Sequence, residues 1–277
     1  MFRFFFIPIL FLHSHFMTFA QSYSPEWQAD SAKINKWIPG KFNQFNIDAI
    51  GNVYVINETG QIKKIDLKGD SSQVYQDVKK WGRPKYLDVS NPLKIRIFYP
   101  DFLSIITLDR LLNPRTTLNL RKMNHFRVNG ICTSYDNNIW IYDEQLCRIF
   151  KMDEEGNIHT ESADLRNLID KALSNVRIFD QSGDVFLFDE NAGLFIFDYY
   201  GAFKKHIPEM AGMQGGVDQD IAFVKVGEKI KFFDIRKGLM SEISVGGIFK
   251  NNEAFVIRSG TIYLLKSDGI YKCPLNN

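Results

Sequence analysis

DAIGNVYVINETGQIKKIDLKG, Asp48–Gly69, is the stretch whose reading decides the fold. It breaks into a turn at Ile50-Gly51-Asn52, a strand Val53–Ile56, a second turn at Glu58-Thr59-Gly60 and a strand Gln61–Leu67. Glycine and asparagine supply the positive φ that tight hairpin turns require, and the runs between them are β-branched or aromatic. One copy would make one hairpin, but the chain repeats it.

Phe179–Asp184 is followed by Val185–Phe188, a turn at Asp189–Ala192 and Gly193–Phe197, which matches the first copy almost position for position. Tyr135–Asn138 with Ile139–Tyr142, and Leu87–Pro92 with Lys94–Tyr99 and Phe102–Leu108, are two more copies. Two weaker ones start at Gly227-Glu228 with Lys229–Ile235 and at Gly260 with Thr261–Leu265. With Val53, Ile95, Ile139, Val185, Ile230 and Ile262 taken as equivalent, the intervals are 42, 44, 46, 45 and 32. Four short strands repeating every ~40–45 residues is the pattern of a propeller blade.

The copies resemble six-bladed β-propeller repeats of the NHL and YWTD-like kind, in which a D-x-x-G-N turn precedes a short aromatic-rich strand. The resemblance implies an all-β ring of six blades. The final blade has three strands of sequence, Glu253–Ile257, Thr261–Leu265 and Ile270–Cys273, so Ile34–Ile38 is expected to supply a fourth and close the ring; a tail lying on one face is the alternative. One short helical insertion is expected at Asp164–Asn175, with Leu165, Leu168, Ile169 and Leu173 on a single face. Tyr75–Trp81 reads as an outer strand or a helical turn ending at Gly82.

Residues 1–20 read as a secretory leader and 21–277 as a single propeller domain. Arg3 precedes the apolar run Phe4–Leu12, and Thr18-Phe19-Ala20 is a small-residue cleavage site. The Phe19-Ala20-Gln21-Ser22 stretch after a Phe-rich core is similar to leaders of Bacteroidota-type bacteria, which implies a periplasmic protein, soluble or peripherally bound to the outer membrane. Without Arg3 the chain carries 33 basic residues against 32 acidic, a balance that argues against nucleic acid as a partner. Three cysteines, Cys132, Cys147 and Cys273, are an odd and ill-spaced set for disulfides and are expected to be buried thiols.

Candidate chemistry is sparse. Asp48, Asp88, Asp136 and Asp180 recur before each second strand. As turn residues they would accept hydrogen bonds from backbone N–H groups just downstream. The alternative is a divalent metal held by these four acids at the channel mouth, as in lactone or glycan hydrolases and lyases of propeller fold. His125, His159 and His206 have no neighbours at metal-ligand spacing, and no nucleophile or phosphate-loop motif occurs. The expected role is therefore a non-catalytic module without a cofactor. It would bind another protein, as an accessory subunit of an envelope complex such as an outer-membrane β-barrel translocon of the type 9 secretion kind. Pro208–Val217, rich in Gly and Met, departs most from the repeat and supplies the candidate contacts Met210, Met213 and Gln214.

N-terminal sequencing of the native protein is expected to begin at Gln21. A mature chain that keeps residues 1–20 would overturn the export reading.

Overall fold

The first repeat closes as its turn residues dictate. Asp48 Oδ1 accepts from the backbone N–H of Ile50 (3.0 Å) and Asn52 (2.9 Å), and Oδ2 accepts from Asn52 Nδ2 (2.7 Å) and the Tyr54 hydroxyl (3.2 Å). Gly51 sits at φ +88°. The same aspartate or asparagine device recurs at Asn57, Asp66, Asp109, Asp153 and Asp198, each accepting from backbone N–H groups two and four residues on. Local side-chain hydrogen bonds thus hold these turns without help from another blade.

The computed structural model describes residues 28–29, 33–70, 73–169, 173, 175–249 and 254–276. Their strands form six antiparallel sheets in chain order. Blade 1 comprises Gln44–Ile47, Val53–Ile56, Ile62–Ile65 and Gln73–Tyr75, and blade 2 Tyr86–Asp88, Ile95–Tyr99, Ser104–Leu108 and Pro114–Asn119. Blade 3 comprises Val128–Thr133, Ile139–Asp143, Arg148–Met152 and Ile158–Glu161, and blade 4 Val176–Gln181, Asp184–Asp189, Gly193–Asp198 and Phe203–Ile207. Blade 5 is Met213–Asp218, Ile221–Val226, Lys229–Asp234 and Leu239–Ser244. Blade 6 has Phe255–Arg258, Thr261–Lys266 and Gly269–Asn276, and the N-terminal segments Asn35–Pro39 and Gln28–Ala29 both pair with the last of these.

The core is correspondingly divided. Six apolar clusters each lie between two consecutive blades, and the sixth joins blade 6 to blade 1. Middle strands serve both faces: in Ile95–Tyr99, Ile95, Ile97 and Tyr99 pack toward blade 1 and Phe98 toward blade 3. Between them the wholly buried Arg96 donates to the carbonyls of Asn137 and Asn138 and pairs with Glu154 (3.3 Å), a polar bolt into blade 3.

Ring closure follows the expected strand. Asn35 pairs with Lys272, Lys36 with Tyr271, Ile38 with Ile270 and Pro39 with Gly269. A Cβ on Gly269 would lie 2.3 Å from the Ile38 carbonyl oxygen, so only glycine lets the N-terminal strand approach this closely. Trp37 stacks near Tyr263 (5.2 Å) and under the Lys272 ammonium (3.4 Å), and Ile38 joins Phe45, Ile47 and Ile270 in the closing cluster.

Some expectations need amendment. Ile230 lies on a third strand; the second strand of blade 5 is Ile221–Val226. Ala222 faces the preceding blade as Val185 and Ile262 do, and the last intervals become 222 − 185 = 37 and 262 − 222 = 40. The repeat was displaced because the inner strand of blade 5, Met213–Asp218, contains Gly215 and Gly216 and does not look like a strand. A Cβ there would lie 2.3 Å from the Phe188 ring and 2.5 Å from the Phe223 ring, so these glycines make room for aromatic neighbours.

Among the described residues of the helical insertion, Leu165–Asn167 forms a 3₁₀ turn capped by Asp164, and 170–172 and 174 lie outside them. Leu165 and Leu173 are buried between blades 3 and 4 and Ile169 packs against them, whereas Leu168 is exposed. Both readings of Tyr75–Trp81 hold in part, as an outer strand Gln73–Tyr75 and a helical turn Val78–Trp81. Cys132, Cys147 and Cys273 are buried and form no disulfide. The leader, residues 1–20, lies outside the described residues.

Deleting residues 21–40 removes the burial of Trp37 and Ile38 and leaves the strand Gly269–Asn276 unpaired on one edge. The loss should exceed about 5 kcal/mol from apolar burial and ladder bonds, or roughly 10–20 °C in melting temperature. Thermal unfolding within a degree or two of the full mature chain would show that these residues carry no closure. Asp48→Ala strips four donors of their acceptor at a fully buried site. It should cost about 3 kcal/mol; a loss under about 0.5 kcal/mol, the range of ordinary surface substitutions, would contradict the turn role.

Candidate functional site

Six inner strands surround a central channel of about 650 Å³. Each presents one backbone edge with no strand beside it, and polar side chains of the neighbouring blade fill the vacancy. Gln44 donates to the Lys85 carbonyl (2.9 Å) and Asn46 to that of Leu87 (3.1 Å). Asp88 accepts from Thr133 N–H, Gln214 from Phe255 N–H (2.9 Å) and Asp218 from Ser259 N–H (2.6 Å). Arg258 closes the circuit from blade 6, donating to the Ile47 carbonyl (3.1 Å) and pairing with Asp218 (3.3 Å). Much of the channel's polarity is therefore structural.

The two ends differ in charge. Inner strands run in one direction, so their last residues share a face with the turns that follow, and Asp88, Asp180 and Asp218 line that end. Lys85 and Arg177 line the other, where the strands begin. Burial pushes the Asp180 carboxyl up, although Trp140 Nε1 (3.0 Å), Ser134 Oγ (3.1 Å) and Tyr135 N–H (3.4 Å) donate to it. Sequence reading placed Asp180 as a turn acceptor; it instead ties blade 4 to blade 3.

The four acids of the metal alternative are not brought together. Asp48 is sealed in its own turn, Asp136 pairs with Lys151 (3.1 Å), and only Asp88 and Asp180 face the channel. Asp88 and Asp136 do accept from Ser90 and Asn138 N–H as turn residues. Among the described residues no three His, Cys, Asp or Glu side chains are grouped to hold a metal ion. His125 is buried against Asp143 (2.8 Å) and Phe150, His159 lies beside Asp153 (3.3 Å), and His206 stacks on Phe195.

The expected contact segment is not a free loop. Pro208–Met210 is a 3₁₀ turn whose Met210 is 0% exposed in the cluster between blades 4 and 5, so its side chain cannot reach a partner in this fold. Met213 is half-buried on the inner strand, and Gln214 lines the channel, where it holds blade 6. The departure from the repeat reflects packing around Gly215 and Gly216.

Sequence reading missed the most exposed apolar feature. Turns between first and second strands and between third and fourth strands lie on one face. There Ile50 and Leu67 of blade 1, Leu93 and Leu111 of blade 2, Tyr135 of blade 3 and Tyr200 of blade 4 are all exposed, Tyr200 at 82%. Tyr135 stacks on Tyr199 with ring centroids 4.3 Å apart. The corresponding turns of blade 5 are polar, at Gln219-Asp220 and Arg236-Lys237. Each residue was visible as an apolar residue in a turn; only strand direction puts them on one surface.

No protein-family model matches the chain, and no curated protein matches it by sequence. Solved structures do. Virginiamycin B lyase from Staphylococcus aureus, in a catalytically inactive form with quinupristin, is similar with TM-score 0.62 and 15% identity, covering 88% of this chain and 99% of that one. A structural-genomics protein from Bacteroides thetaiotaomicron is similar at TM-score 0.61 and 10% identity, over 90% of this chain and 73% of that one. The extracellular domain of a B. thetaiotaomicron two-component system is similar at TM-score 0.57 and 12% identity, over 84% of this chain and 33% of that one. At these identities the likeness shows architecture alone, and with the sheet order it establishes a six-bladed β-propeller.

Proposed function

We propose that this propeller is a non-catalytic binding module of the cell envelope that docks a partner protein on the apolar crown of blades 1–4. The observation that carries the reading is the set of six exposed apolar side chains on one face, confined to adjacent blades and flanked by polar turns on blade 5. Exposed apolar side chains gathered on one face of a rigid scaffold favour a recognition surface, and aromatic residues are favoured anchors in such surfaces. The leader-like residues 1–20 favour an exported protein, and no helix among the described residues is long and apolar enough to cross a membrane. An accessory subunit on an outer-membrane β-barrel complex, such as a type 9 secretion translocon, fits both features.

The test begins with affinity capture of the tagged mature protein from native membranes, followed by titration of the partner recovered. Tyr135→Ser with Tyr200→Ser should leave the melting temperature within a degree or two, because both rings are exposed. Affinity should fall by roughly tenfold or more, at ~1–2 kcal/mol per lost anchor. Phe102→Ser with Phe126→Ser, on the opposite face, should leave it unchanged. The reverse pattern would move the docking site to that face. A melting temperature raised by Ca²⁺ or Zn²⁺ and abolished by Asp88→Asn with Asp180→Asn would replace this reading with a metal-dependent enzyme.

A further inference from the structure

At the seam of blades 3 and 4, on the face of the crown, one carboxylate is only half satisfied. Asp180 stands near the end of Val176–Gln181 and lines the channel. Its Oδ2 takes three donors, Trp140 Nε1 (3.0 Å), Ser134 Oγ (3.1 Å) and Tyr135 N–H (3.4 Å), while Oδ1 accepts from none of the described residues. No Lys, Arg or His side chain among them pairs with it. Other acids at this end are matched. Lys151 answers Asp136 (3.1 Å), Lys204 answers Asp184 (2.7 Å) and Arg258 answers Asp218 (3.3 Å). Asp88 takes an N–H group on each oxygen, from Ser90 and Thr133.

Two tyrosine rings stand beside that carboxylate. Tyr135 is 62% exposed, and its ring meets the Tyr199 ring with centroids 4.3 Å apart and planes tilted by 32°. The backbone of the same Tyr135 donates to Asp180, so one residue carries both a ring and a contact to the acid. Tyr199 reaches back over the turn that follows Asp180: a Cβ on Gly183 would lie 3.8 Å from its hydroxyl. The protein's own cation at this seam is Lys151, 5.6 Å from the Tyr135 ring centroid and 5.5 Å from that of Trp140. It is buried and bonded to Asp136, so it is not available to Asp180.

We propose that the protein docked on the crown places an arginine side chain in this seam, its guanidinium against the Tyr135–Tyr199 pair and donating to Asp180 Oδ1. Guanidinium suits both halves of the site. Its flat face stacks on an aromatic ring, and its N–H edge forms charge-assisted hydrogen bonds with a carboxylate. A purely apolar anchor would cover the rings but would also shut Asp180 Oδ1 away from water with no donor, which is costly for a carboxylate. The inference rests on the docking reading for the source of the arginine, and it adds the chemistry that the crown selects. Apolar side chains from Ile50 to Tyr200 supply area, and the seam supplies discrimination between partners.

Calorimetric titration of the mature protein with acetyl-arginine amide and with acetyl-citrulline amide, the uncharged analogue of the same shape, tests the site without the partner. The arginine probe should bind saturably in the millimolar range, and the citrulline probe at least about tenfold more weakly. Asp180→Asn keeps an oxygen for Trp140, Ser134 and Tyr135, so it should fold and lose the preference for arginine. Tyr135→Ser, at an exposed ring, should weaken the arginine probe several-fold. Equal binding of the two probes, no saturable binding of the arginine probe, or a folded Asp180→Asn protein that still prefers arginine would overturn the proposal. The comparison of probes on the native protein decides the matter even where a variant fails to fold. The docking reading falls separately, on a captured partner indifferent to Tyr135→Ser with Tyr200→Ser.

Discussion

Every blade of this protein is buried on two faces, so no blade is stable without both neighbours. The last blade's missing neighbour is the first, and their direct packing is completed by Asn35–Pro39 laid along Gly269–Asn276. That pairing fills the edge of the last sheet and delivers Ile38 and Trp37 to the cluster shared by blades 6 and 1. Without it, the edge of Gly269–Asn276 would stay unpaired and the cluster shared with blade 1 would lose Ile38 and Trp37. The turn hydrogen bonds at Asp48 and its counterparts shape hairpins, but a hairpin alone is marginal in water. The ring makes hairpins into a domain.

Closing a ring creates a second requirement at its centre, where six backbone edges meet no further strand. The chain answers with side chains of adjacent blades, such as Asn46 on the Leu87 carbonyl and Asp218 on Ser259 N–H. Polar residues in a propeller channel are therefore poor evidence of chemistry by themselves. Asp88, Asp180 and Asp218, at the end where the inner strands finish, are engaged in this way.

The two faces consequently offer different chemistry. One carries exposed apolar side chains from Ile50 to Tyr200 on four successive blades, suited to a protein surface. On the other, Lys85 and Arg177 line the channel where the inner strands begin. Similarity to virginiamycin B lyase and to Bacteroides propellers concerns the scaffold, on which neither arrangement is required by the fold.

The fold was legible because its determinants are local and repeated. An acceptor at Asp48 or Asp153, a glycine two or three residues later and an apolar run after it need only a few neighbouring residues to act. Even the closing strand could be read, since the final repeat lacked one. The register failed where packing overruled the local pattern: Gly215 and Gly216 look like a loop, yet they form a strand because Phe188 and Phe223 occupy the space a side chain would fill. Met210 looked adaptable and available for the same reason, and the neighbouring blades bury it. The candidate sites lay beyond the sequence for a plainer reason. Tyr135 and Asp180 come from different blades, as do Ile50 and Tyr200, and only strand direction within the closed ring decides which of them share an end.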